Sequence, residues 1–93
     1  MTVGLLTVSL SLPVTQSLKE KRGVLKPLLA QLRREFNVSV AEVEDQDRWQ
    51  ASAIGVAAVG SEGANLHGML EGVVRWIERT QPHLYVTNWE IEI

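Results

Sequence analysis

Apolar and polar positions alternate with period two at the start of the chain. Gly4, Leu6, Val8, Leu10 and Leu12 fall on one side of an extended segment, and Val3, Leu5, Thr7, Ser9 and Ser11 on the other. This predicts a strand over residues 2–12 with one strongly apolar face, ended by Pro13. The period then changes. Leu18, Leu25, Leu28, Leu29, Leu32 and Phe36 recur at helical spacing behind Ser17 and Glu20. Those two fit the capping box that satisfies free backbone donors at a helix start. Pro27 lies inside this helix, with Gly23 four residues before it. Glycine relaxes most easily under the proline ring, so a kink is expected there and not a break.

Alternation resumes at Val38–Val43, a short strand. The polar turn Glu44-Asp45-Gln46-Asp47 follows, and then a long strand from Trp49 to Val59 rich in Ala51, Ala53, Gly55, Ala57 and Ala58. Side chains that small let a helix or another backbone come close. After the loop Gly60–Gly63, a second helix is expected over about residues 62–80. Leu66, Met69, Leu70, Val73 and Ile77 form its core face, Trp76 flanks it, and Pro82 stops it. Tyr85–Ile93 closes the chain as a strand in which Trp89, Ile91 and Ile93 alternate with Glu90 and Glu92.

The order is strand, helix, strand, strand, helix, strand. Two right-handed β-α-β units joined this way give an α+β fold, the ferredoxin-like βαββαβ sandwich. Both helices lie on one face of a four-stranded antiparallel sheet of spatial order 4-1-3-2. Residues 1–93 read as a single domain with no internal repeat or linker. A chain of 93 residues buries roughly 60–65% of its unfolded surface, enough for one thin core.

Composition removes several classes of function. With no cysteine in the chain, disulfide scaffolds, Cys-ligated zinc and thiol catalysis are excluded. The apolar runs are too short to span a membrane, and the N-terminus lacks a basic leader region. A cytoplasmic location and no membrane partner are therefore expected. His67 and His83, the two histidines, read as surface or rim residues, and no serine sits in a nucleophile-elbow pattern. No catalytic residue, metal ligand set or cofactor is assigned. The carboxylates Glu42, Glu44, Asp45 and Asp47 match no ligand loop and read as a solvated hairpin turn.

Charge is unevenly placed. The net formal charge is −2, yet residues 1–40 carry +4 and residues 41–93 carry −6. Lys19, Lys21 and Arg22 crowd the start of the first helix, where the helix dipole disfavours cations. Lys26 and Arg33 extend the set. At ~100° per residue, Lys19, Arg22, Lys26 and Arg33 fall within ~60° of one another beside the buried stripe. The row spans ~21 Å. It suits phosphates along a nucleic-acid strand. It also suits an acidic protein, or plain solvation with the side-chain stems covering the core edge. Lys19, Lys21, Arg22, Lys26 and Arg33 are thus the candidate RNA- or anion-binding residues. A homodimer is a further expectation, from Val3 and Leu5 on the open side of the sheet or from an exposed last strand ending in Ile91 and Ile93. Gly68 and Gly72 on the second helix would permit close backbone approach, or are simply weak helix positions costing about 1 kcal/mol each.

Three stretches together carry a resemblance: SLKEKRGVLKPL at 17–28, NVSVAEVEDQDRWQASAIGVAAVG at 37–60, and the terminal EIEI. They resemble the YlxP-like family of small bacterial proteins, a domain of unknown function, over essentially the whole chain. The resemblance implies a ferredoxin-like fold and supplies no catalytic residues. Genes of that family often lie among those for translation and ribosome maturation, which points toward RNA or the ribosome; no DNA partner is implied. Other functions of this fold fit poorly. The first loop, Pro13–Ser17, lacks the Cys pair of metal chaperones and the Arg and Gly of a phosphate-binding loop. The central strands lack the mid-strand aromatics on which RNA-recognition motifs stack bases. The expected function is a non-catalytic binding module near RNA or the ribosome. The alternative is a small-ligand or protein-interaction dimer.

Overall fold

The computed structural model describes all 93 residues. β1 (Thr2–Ser11) leads into α1 (Leu18–Glu35), β2 (Ser39–Glu44), β3 (Ala51–Gly60), α2 (Gly63–Thr80) and β4 (Tyr85–Glu92). The strands form one antiparallel sheet in the order β2-β3-β1-β4. This is the ferredoxin-like α+β arrangement, with β1 and β3 central as the alternation implied.

The predicted apolar face of β1 is the buried one. Leu6, Val8, Leu10 and Leu12 join Leu25, Leu28 and Leu32 of α1, Ile54 and Val56 of β3, and Leu66, Leu70, Val73, Val74 and Ile77 of α2 in one core. Gly4 sits where α2 comes nearest the sheet. A Cβ built there would lie 2.9 Å from Leu66 Cγ and from Leu70 Cδ1. Only glycine fits that approach without repacking.

α1 runs unbroken through Pro27. A Cβ built at Gly23 would meet nothing within 4 Å, the Pro27 ring included, so it is not the absence of a side chain there that accommodates the proline. Ser17 caps the helix, its Oγ accepting from the Glu20 amide at 3.1 Å. The return bond is displaced by one residue: Glu20 Oε2 accepts from the amide of Gln16 at 2.6 Å. The helix start therefore already carries its own carboxylate.

β3 begins two residues later than the pattern suggested. Trp49 and Gln50 belong to the preceding loop, and Trp49 is exposed. Leu12 donates its amide to Gln50 O at 3.0 Å, and Gln50 Nε2 donates to Thr15 O at 3.2 Å. These bonds fix the loop against the β1–α1 connection.

The small residues of β3 do not receive a helix. Ser52, Ile54, Val56 and Ala58 face the helices, whereas Ala51, Gly55, Ala57 and Val59 line the opposite, uncovered face; Ala53 points the same way but is buried. β4 is a free edge of the sheet, as the pattern suggested, and Ile93 at its end is exposed, but Ile91 is not. It pairs with Leu6 and packs against the core, which leaves Glu90 and Glu92 on the uncovered side. Gly68 and Gly72 have nothing within 4 Å of where a Cβ would stand, so no close approach within the chain uses them. No helix is long and apolar enough to cross a membrane.

Candidate nucleic-acid interface

The five cations assigned from the sequence separate into two sets. Lys21 is 1% exposed and is withdrawn from any surface. Its position explains this: Lys21, Leu25, Leu28 and Leu32 are the four buried residues of α1, at the i, i+4, i+7, i+11 spacing of one helix face. The ammonium ends among three oxygens. Nζ lies 2.8 Å from Glu42 Oε2 and donates to Asp45 O at 2.5 Å and Arg48 O at 2.7 Å. Three protons thus meet three acceptors, which is what a buried ammonium requires.

Glu42 completes the junction by accepting from Ser52 Oγ at 2.7 Å. The acidic hairpin is therefore only partly a solvated turn. Glu42 and the Asp45 carbonyl are committed to Lys21, while Glu44 and Asp47 are exposed. Asp45 takes φ 62°, a left-handed conformation that Asp tolerates better than most residues. Arg48 closes the turn through its amide, which donates to Asp45 O at 3.0 Å. The β1–α1 connection is tied to the same loop. Thr15 is buried, and its hydroxyl lies 2.9 Å from Leu12 O and 2.5 Å from Trp49 O.

Lys19, Arg22 and Lys26 remain on the surface and are exposed. None has an ion-pair partner in the chain. Arg33 is also exposed, but its Nη2 donates to Val40 O at 2.9 Å. That bond locates the row, because it shows that this flank of α1 overhangs the edge strand β2. The opposite flank faces α2, where Gln31 Oε1 accepts from Gln81 Nε2 at 3.1 Å. Phe36 meets Trp76 edge-on on the same side, with ring centroids 6.2 Å apart. The row Lys19–Arg22–Lys26–Arg33 thus follows the outer rim of the helix layer, beside a free sheet edge.

The carboxylate of Glu20 at the helix start removes the N-terminus as a separate anion site. What attracts anions is the line of side-chain charge. Elsewhere, His67 Nδ1 lies 3.1 Å from Glu71 Oε1 on the exposed side of α2, and His83 is exposed in the turn before β4.

The model of the family described as "Protein of unknown function (DUF503)" matches residues 3–91. The chain belongs to that family. It is also 44% identical over 62 residues to the uncharacterized protein YlxP of Bacillus subtilis (strain 168), a stretch covering 67% of either chain. The segments in which a resemblance to the YlxP-like family was seen hold Ser17, Glu20, Lys21, Glu42, Asp45, Arg48 and Gln50. In the DUF503 chain described here these residues cap α1 and assemble the buried junction around Lys21, a structural task at one end of the sandwich.

Proposed function

We propose that this DUF503 domain is a cytoplasmic, non-catalytic binding module that contacts RNA, in the setting of the ribosome, through the outer flank of α1. The observation that carries the reading is the set of three exposed cations without partners, Lys19, Arg22 and Lys26, continued by Arg33. A helix start pays ~0.3–1 kcal/mol for each adjacent cation. Of the row only Lys19 lies in the first turn and bears that cost, whereas Arg33 lies in the last turn where the dipole favours a cation; a line of charge along one rim fits a polyanion better than a single small anion. Its ~21 Å length reaches several phosphates of one strand.

The contact is with backbone and not with bases. The uncovered sheet face carries acidic Glu90 and Glu92 at its β4 edge. Binding should therefore depend strongly on salt and weakly on sequence. The test is fluorescence anisotropy on ribosomal RNA fragments with Lys19→Ala/Arg22→Ala. The reading expects weaker binding, a salt slope smaller by about two, and stability that is equal or slightly higher. Unchanged affinity would overturn it.

A further inference from the structure

The uncovered face of the sheet is the least explained surface of the molecule. On β1, β2 and β3 it presents Val3, Leu5, Thr7, Ser9 and Ser11, then Ser39, Ala41, Val43 and, opposite Ala53 at the bulge, Glu44, then Ala51, Ala53, Gly55, Ala57 and Val59. Glu44 is the one charge among them, at the end of the edge strand, and Ala53 beside it is buried. An antiparallel sheet with one side in water ordinarily alternates apolar-in with polar-out. Here Val3, Leu5, Val43 and Val59 are all among the exposed large hydrophobic residues. A groove of about 320 Å³ runs between Leu5 and Thr7 on one side and Ala41 and Val43 on the other, floored by Gly55 and Ala57.

Side-chain size on this face differs between the central strands: β1 carries the larger Leu5 and Thr7 where β3 carries Ala57 and Gly55, while Val3 and Val59 are of equal size. A two-fold axis parallel to the strands, midway between β1 and β3, lays β1 of each copy over β3 of the other. Height along the strands is kept, so the register within one sheet also gives the opposition between copies. Leu5 then comes over Ala57, Thr7 over Gly55 and Val3 over Val59. β4 falls over β2, so Glu90 and Glu92 come over Ala41 and Ser39 at the rim. A two-fold perpendicular to the strands would instead stack β1 on β1 and place the carboxylates of two β4 strands together. The four strands hold 34 residues, which at ~3.3 Å by ~4.8 Å each make a face of about 540 Å² in plan. Two such faces bury about 1,080 Å², just above the roughly 1,000 Å² that a specific interface should clear.

We propose that the uncovered sheet face binds a second copy of this chain, sheet on sheet, with Leu5 of each copy seated over Ala57 and Gly55 of the other. The α1 row lies on the opposite layer, so the proposal is independent of RNA binding, and both copies would present the row outward.

Sedimentation equilibrium over a concentration series tests it. The chain should run at twice its 10.3 kDa mass. Leu5→Lys and Val59→Lys, at positions exposed in the single chain, should each raise the dissociation constant at least about 100-fold with an unchanged circular dichroism spectrum. Two independent variants are used so that misfolding of one leaves the other decisive. Because the chain has no cysteine, Thr7→Cys adds a single reporter near the axis. A short bismaleimide should cross-link it, and should not cross-link Lys26→Cys on α1. A monomer at every concentration would overturn the proposal. So would a dimer that survives both lysines, or one that cross-links through position 26.

Discussion

Replacing Lys21 with Met removes the ammonium while keeping an unbranched apolar stem of similar length in the α1 stripe. The change takes a donor from one carboxylate and two backbone carbonyls, because Nζ serves Glu42 Oε2, Asp45 O and Arg48 O together; Glu42 keeps Ser52 Oγ and Asp45 O keeps the Arg48 amide, so Arg48 O is the acceptor left without a partner. Breaking a buried ion pair from one side costs about 3–5 kcal/mol. The Glu42 side chain keeps 21% of its exposure, so water recovers part of that. Relief from desolvating an ammonium recovers more. The expected loss is about 3 kcal/mol, against a total of about 5–14 kcal/mol for a domain of this size. Guanidinium unfolding with linear extrapolation should show the midpoint falling at constant slope. The melting temperature should drop by about 12–24 °C. Lys21→Met/Glu42→Gln should lose less than the two single variants together, with a coupling of about 1–3 kcal/mol. If Lys21→Met stays within about 0.5 kcal/mol of the parent, the junction does not hold the 45–50 loop and the reasoning fails.

Gly4→Ala forces a methyl to within 2.9 Å of Leu66 and Leu70 and should cost about 1–3 kcal/mol in chemical denaturation. Gly68→Ala and Gly72→Ala meet open space and should each raise stability by up to about 1 kcal/mol; a loss at either would reveal a packing partner on that side of α2. Ser17→Ala removes the acceptor for the Glu20 amide and should cost about 1 kcal/mol, read from the same unfolding curves.

The period-two and helical patterns carried the fold, because burying one face fixes both element type and register in a sandwich this thin. The same logic held the key to Lys21. Extending the Leu25–Leu28–Leu32 spacing backward lands on position 21, yet a lysine there reads as surface until its three oxygens are known. Those acceptors come from residues 42, 45 and 48, brought over by the β2–β3 hairpin, and two of them are backbone carbonyls. No local pattern announces such a partnership. The start of β3 was misplaced for a related reason. Trp49 and Gln50 continue the apparent strand, but Gln50 is claimed by the β1–α1 loop through long-range hydrogen bonds. The open-face place of Ala51, Gly55 and Ala57 was legible only as one of two options, because small residues suit a helix contact and an uncovered face equally. By contrast, Lys19, Arg22 and Lys26 stand where helical spacing put them.

The salt dependence of binding to ribosomal RNA fragments tests the α1 row most directly. With Lys21 buried, three free cations remain, or four with Arg33. The logarithm of the binding constant should fall against log salt with a slope of about 2–3.5. Lys19→Ala/Arg22→Ala/Lys26→Ala should remove most of that slope while Lys21→Met leaves it in place. No binding at low salt, or a slope the triple variant leaves unchanged, would contradict the account.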